Sequence, residues 1–107
     1  MKKKVYPPSI SHDELMLARL KRDPEFAVEY LKVALEEATD EEGHYVLLSA
    51  IRQIAQAHGI AKIARAAGIK RESLSRALSA KGNPRFDTLH VVVHAMGLQL
   101  TIERVQP

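Results

Sequence analysis

Ile60-Ala61-Lys62-Ile63-Ala64-Arg65-Ala66-Ala67-Gly68-Ile69-Lys70-Arg71-Glu72-Ser73-Leu74-Ser75-Arg76-Ala77-Leu78-Ser79 is the stretch that decides the fold. Ile63, Ala67, Leu74, Ala77 and Leu78 fall at helical spacing on either side of one glycine, which predicts two short helices rather than one long one. Two helices that cross steeply must approach closely, so the first needs a small residue at the contact, and Ala64 provides it. The turn between them needs a residue at ease with positive φ, and Gly68 stands four residues on. Ile69 then fills the space beneath the turn. These requirements are met together and in register, which predicts a helix-turn-helix over roughly Ile60–Ala80.

The outward face of the second helix carries Lys70, Arg71, Glu72, Ser75, Arg76 and Ser79. Such a helix enters the DNA major groove with its N-terminal residues near the base edges. Arg71 and Arg76 suit bidentate contacts to guanine, and Ser73, Ser75 and Ser79 suit phosphate or base contacts. Lys62, Lys81 and Arg85 suit neutralisation of the DNA backbone. The charge distribution agrees. Residues 60–85 hold seven Lys and Arg against Glu72 alone, a net +6, whereas residues 11–59 hold five against ten carboxylates, a net −5. A basic block of that density attracts polyanions. The acidic block is either solvated surface or a face for a basic partner.

Toward the N-terminus, residues 1–9, with Lys2, Lys3 and Lys4, read as a flexible basic tail. Ser11 and Glu14 have the spacing of a capping box, and Ile10 can staple onto Leu15. That helix should stop near Arg22, because Asp23-Pro24-Glu25 starts another, with Asp23 as cap and Pro24 in the first position. Ala27, Tyr30, Leu31, Ala34, Leu35 and Ala38 form its apolar stripe. Thr39 and Glu42 read as a second capping box, opening a helix over about 41–58 with Leu47, Leu48, Ile51, Ile54 and Ala55 buried. Gly43 weakens its start, and Gly59 is its expected terminator.

Toward the C-terminus, a helix from about Phe86 to Met96 should bury Phe86, Leu89, Val92, Val93 and Met96 and end at Gly97. Its cap is open between Asn83 and Asp87. Residues 98–103 alternate apolar and polar, a strand pattern. A lone strand has unpaired edges, so Leu98, Leu100 and Ile102 are expected either to form the apolar side of a strand paired with its copy in a two-fold homodimer, or to fold back on their own monomer. The expected fold is all-α with one short C-terminal β-strand. Its divisions are a tail at 1–9, an N-terminal helical extension at 10–40, the helix-turn-helix domain at 41–97, and the strand and tail at 98–107.

Composition narrows the function. The 107 residues are 46% apolar and 5% aromatic, with no Trp and no Cys. Disulfides, thiolate catalysis and Cys-based zinc sites are excluded, and a reducing cytoplasm is the default. Met1 to Tyr6 is basic, but Pro7 and Pro8 follow, so neither a secretory signal nor a membrane span is expected. His90 and His94 sit one turn apart without a fixed third ligand, so neither metal nor cofactor is expected. No nucleophile elbow, Gly-rich loop or ligand cluster organises the Ser, His and Asp residues into an active site, and an enzyme is not expected.

From Asp23 to Arg104 the chain resembles the addiction-module antidote proteins, antitoxins of the HigA type often found in prophages. The resemblance is carried by Asp23-Pro24-Glu25-Phe26-Ala27, Tyr30-Leu31, Ala34-Leu35-Glu36-Glu37, Ala64 to Gly68, Arg71-Glu72-Ser73-Leu74, Ala77-Leu78-Ser79, Gly82-Asn83-Pro84 and Leu98. It implies a phage-repressor-like helix-turn-helix that represses its own operon, and a protein that neutralises a RelE-like, mRNA-cleaving toxin. Operator DNA and a toxin are the implied partners, with Glu25, Glu29, Glu36 and Glu37 the toxin-facing candidates. The chain departs from the family pattern at Lys70, where a capping Ser is usual, at Ser75, where Tyr is common, and at Ile60, where related repressors often carry Gln. Two other readings stay open: a solitary prophage repressor, and a helical protein-interaction domain that does not read DNA.

Overall fold

The computed structural model describes residues 11–106, which form six α-helices: α1 (His12–Arg22), α2 (Pro24–Glu36), α3 (Glu41–His58), α4 (Ile60–Ala67), α5 (Arg71–Ala77) and α6 (Phe86–Ala95). The starts of the first two follow the expected chemistry. Ser11 Oγ accepts from the Glu14 amide at 3.1 Å while the Ser11 amide donates to Glu14 Oε2 at 3.3 Å, satisfying two end groups that the helix itself leaves unpaired. Asp23 Oδ1 accepts from the Phe26 amide at 3.1 Å, with Pro24 opening α2. The proposed staple residue Ile10 lies outside the described residues.

At α3 the cap is Asp40, not Thr39. Asp40 is extended, and its Oδ1 accepts from the Gly43 amide at 2.7 Å. That places Glu42 one position too early to return the bond of a capping box, and the charged carboxylate is the stronger acceptor. Gly43 has a positive reason to be there. A Cβ at this position would stand 2.2 Å from the Glu37 carbonyl oxygen, so the α2–α3 connection passes too close for any side chain. This close approach outweighs the helix-propensity cost of about 1 kcal/mol.

α3 is the element on which the others meet: α1, α2 and α4 pack against it, and α4 packs in turn on α5 and α6. One aliphatic cluster joins Leu20 of α1, Ala27, Leu31 and Ala34 of α2, the buried line of α3, Ile63 and Ala64 of α4, Leu74 and Leu78, and Val92, Val93 and Met96. Leu20, Leu48, Ile54, Leu74, Leu78 and Val92 are fully buried, each worth roughly 1.5–3 kcal/mol against exposure. Two expected core residues are outside it. Leu35 is 42% exposed because Ala27, Leu31 and Ala34 already define the buried line of α2. Phe86 is 75% exposed at the edge of an open cavity that it lines with Leu35, Leu89 and Val93, its ring tilted against His90 one turn on. Neither Asn83 nor Asp87 caps α6. Arg85 occupies the cap position without a side-chain bond, and Asp87 Oδ1 accepts from the Thr88 amide at 2.8 Å.

The expected C-terminal strand is not formed. Residues 98–106 have no regular secondary structure. A strand exists through its ladder, and no described segment offers one. The Leu98 amide instead donates to the Val93 carbonyl at 3.2 Å, and Leu98 and Leu100 lie half-buried beside Leu31 and Val93. Ile102 is 96% exposed, so the three do not share one buried side. The alternation of residues 98–100 reflects an irregular segment whose two leucines turn toward α2 and α6. The described fold is all-α.

Candidate nucleic-acid interface

The turn between α4 and α5 is built on Gly68, at φ 72° and ψ 30° in the left-handed region. The Ile69 amide then reaches back to the Ala64 carbonyl at 2.9 Å, closing α4. Ile63, Ala64, Leu74 and Leu78 are buried, while Ala67, Ile69 and Ala77 are half-buried, so the inner face is the one read from the sequence. α5 thus hangs on Leu74 and the following Leu78. Arg71, Glu72, Ser73, Ser75 and Arg76 face outward.

Lys62, Lys70, Arg71, Glu72, Ser73, Ser75, Arg76, Lys81 and Arg85 are all exposed. Ser73, Arg76, Ser79 and Lys81 are brought together with Gly82, Asn83 and Pro84 around one shallow depression of about 370 Å³. Lys70 and Arg71 stand at the other end of α5, and Lys62 on α4. Ser79 is half-buried and its Oγ donates to the Arg76 carbonyl at 2.7 Å, so its hydroxyl is engaged within the chain. Arg85 Nε lies 3.6 Å from Asp87 Oδ1, an exposed pair worth little in water. Lys70 is the cap residue of α5 and makes no side-chain cap bond.

One residue of this region escaped the sequence reading. Arg52, half-buried on α3, donates from Nη1 to the Leu78 carbonyl at 3.0 Å and from Nη2 to Ser49 Oγ at 3.4 Å. Leu78 is the C-cap of α5, where carbonyls lack intrahelical partners and the dipole favours a cation. The guanidinium therefore ties the end of α5 to the central helix. The signal was present in the sequence, since Arg52 is the one basic side chain between Leu47 and Ala55.

Glu25, Glu29, Glu36 and Glu37 are exposed at α2 and its C-cap. His90 and His94 are exposed on α6, and among the described residues no group of three His, Asp or Glu is placed to hold a metal. No described helix is long and apolar enough to cross a membrane.

Over residues 12–104 the chain matches the family described as "Probable addiction module antidote protein". It is 41% identical over 76 residues to an uncharacterized protein of Haemophilus influenzae, an alignment covering 71% of this chain and 78% of that protein. No solved structure matches the chain. The family match spans α1 to α6, and an antidote implies a toxin that it counteracts. The chain belongs to the addiction-module antidote family, with a toxin as its implied partner.

Proposed function

We propose that this protein is the HigA-type, prophage-associated antitoxin of a type II toxin–antitoxin module. It binds operator DNA as an autorepressor and neutralises a RelE-like, mRNA-cleaving toxin. The observation that carries the DNA half is α5: a helix anchored by Leu74, with Arg71, Ser75 and Arg76 exposed and its C-terminal end fixed by Arg52. Arg71 and Arg76 read guanine edges from the major groove, and the Glu72 carboxylate accepts from a cytosine amino group. Lys62, Lys70, Lys81 and Arg85 neutralise phosphates, with Ser73 and Ser75 adding hydrogen bonds to the backbone. A homodimer places two such helices about 34 Å apart on one face of a palindrome. The protein works by binding alone, in the cytoplasm, and needs neither a cofactor nor a catalytic group.

Family membership favours an antitoxin over a solitary repressor, and the net +6 of residues 60–85 favours DNA over a purely protein ligand. The test has two arms. Fluorescence anisotropy compares DNA from upstream of the gene with a scrambled duplex, where the upstream DNA should bind at least about a thousandfold tighter. Co-expression with the product of the adjacent reading frame should restore growth that this product alone arrests. Equal affinity for both duplexes contradicts the operator half, and arrested growth under co-expression contradicts the antitoxin half.

A further inference from the structure

α2 and α3 leave between them a groove of about 320 Å³, floored by Phe26, Tyr30, Val33, Val46 and Ala50 and bordered by Glu29 and Glu37. Val33 is 50% and Val46 43% exposed, unusual burdens for two β-branched residues on facing helices. The aromatic wall is held in place. Phe26 stacks on Tyr30 at 5.9 Å, the Arg19 guanidinium lies 3.7 Å above the Phe26 ring, and the Tyr30 hydroxyl donates to Gln53 Oε1. A preordered apolar groove of this kind loses little conformational entropy when filled.

Glu29, Val33 and Glu37 follow one another at four-residue steps, which puts a solvent-facing valine between two carboxylates on one face. Among the described residues neither carboxylate has a basic partner. Of the four glutamates of α2 and its C-cap, these two border the groove, whereas Glu25 and Glu36 do not. A second copy of this chain docking the same face would set Glu29 and Glu37 against their equals, so charge argues against self-association here.

We propose that this groove is the toxin-docking surface, and that it takes an apolar anchor residue flanked by Lys or Arg side chains. The proposal rests on the antitoxin reading above. The anchor enters between Tyr30, Val33 and Val46, and the flanking cations pair with Glu29 and Glu37 at the rim. Those pairs orient the partner and speed encounter, while the anchor supplies the residence time.

The experiment measures binding of the adjacent reading frame's product to full-length wild type, Val33→Asp, Glu29→Lys/Glu37→Lys, and Glu103→Lys by calorimetry. Circular dichroism and thermal unfolding check that each variant is folded, and the exposure of Val33, Glu29 and Glu37 makes loss of the fold an unexpected result. Val33→Asp and the double reversal should each weaken binding by about tenfold or more. Glu103→Lys, an exposed charge reversal on the C-terminal segment, should leave it within about twofold. The double reversal should also flatten the dependence on salt. If wild type binds and both groove variants bind equally well, the groove is overturned while the antitoxin reading stands. If wild type does not bind at all, that reading fails and the groove proposal falls with it.

Discussion

The Arg52 guanidinium on α3 donates to the Leu78 carbonyl at 3.0 Å, so the helix proposed to read DNA is fixed at its C-terminal end by the central helix of the core. Replacing Arg52 with Met keeps most of the aliphatic stem and removes the donor. The Leu78 carbonyl then loses a charge-assisted bond, at about 1–3 kcal/mol. Urea unfolding should show that loss as a lower midpoint with an unchanged slope. Operator binding under conditions where the variant is fully folded should also weaken, because the end of α5 is no longer held.

Two glycines should fail for different physical reasons. At Gly68 a Cβ would meet nothing within 4 Å, so the penalty is confined to the left-handed backbone. Gly68→Val should cost about 1–2 kcal/mol, and Gly68→Asn less, since Asn visits that region. At Gly43 the φ is ordinary but the space is not. Gly43→Ala should destabilise despite the better helix propensity of Ala, because its Cβ would meet the Glu37 carbonyl oxygen at 2.2 Å. Thermal unfolding of the three variants separates the two causes.

The cap of α3 can be assigned by substitution. Asp40→Ala removes the acceptor of the Gly43 amide and should cost about 0.5–2 kcal/mol. Thr39→Ala should stay within about 0.5 kcal/mol of wild type, because Thr39 is exposed and caps nothing. A reversed order in chemical denaturation would restore the Thr39–Glu42 capping box.

Thr101→Pro tests the C-terminal segment. A paired strand would lose a ladder bond at that position. Thr101 is exposed and residues 98–106 form no ladder, so the substitution should change stability by less than about 0.5 kcal/mol. Equilibrium unfolding measures the difference directly.

What the sequence disclosed follows from what each signal depends on. Ser11 with Glu14, Asp23 with Pro24, and Gly68 act within a few residues, and all three stand where local chemistry puts them. The inner face of the α4–α5 pair was equally legible, since Ile63, Leu74 and Leu78 need only helical spacing and a turn. The misses depend on the rest of the molecule. Residues 98–103 alternate as a strand does, but pairing needs a second segment that local pattern cannot supply. Phe86 lies on the expected face of α6, yet only packing reveals that the cavity it lines is left open there. Arg52 and Leu78 are far apart in sequence, so their bond appears only once α3 and α5 are brought together. The exposed positions of the proposed interface were readable from periodicity. The groove between α2 and α3 was not, because Val33 and Val46 belong to different helices.

Salt titration of operator affinity is the most direct test of the central claim that α5 reads DNA. The logarithm of the association constant for wild type should fall linearly with the logarithm of salt concentration, and Lys62→Ala or Lys81→Ala should reduce that slope by about one while weakening operator and scrambled duplexes alike. Arg71→Ala and Arg76→Ala should each lose about 1–3 kcal/mol on the operator and much less on the scrambled duplex. Affinity indifferent to salt and to all four substitutions, in folded protein, would contradict the account.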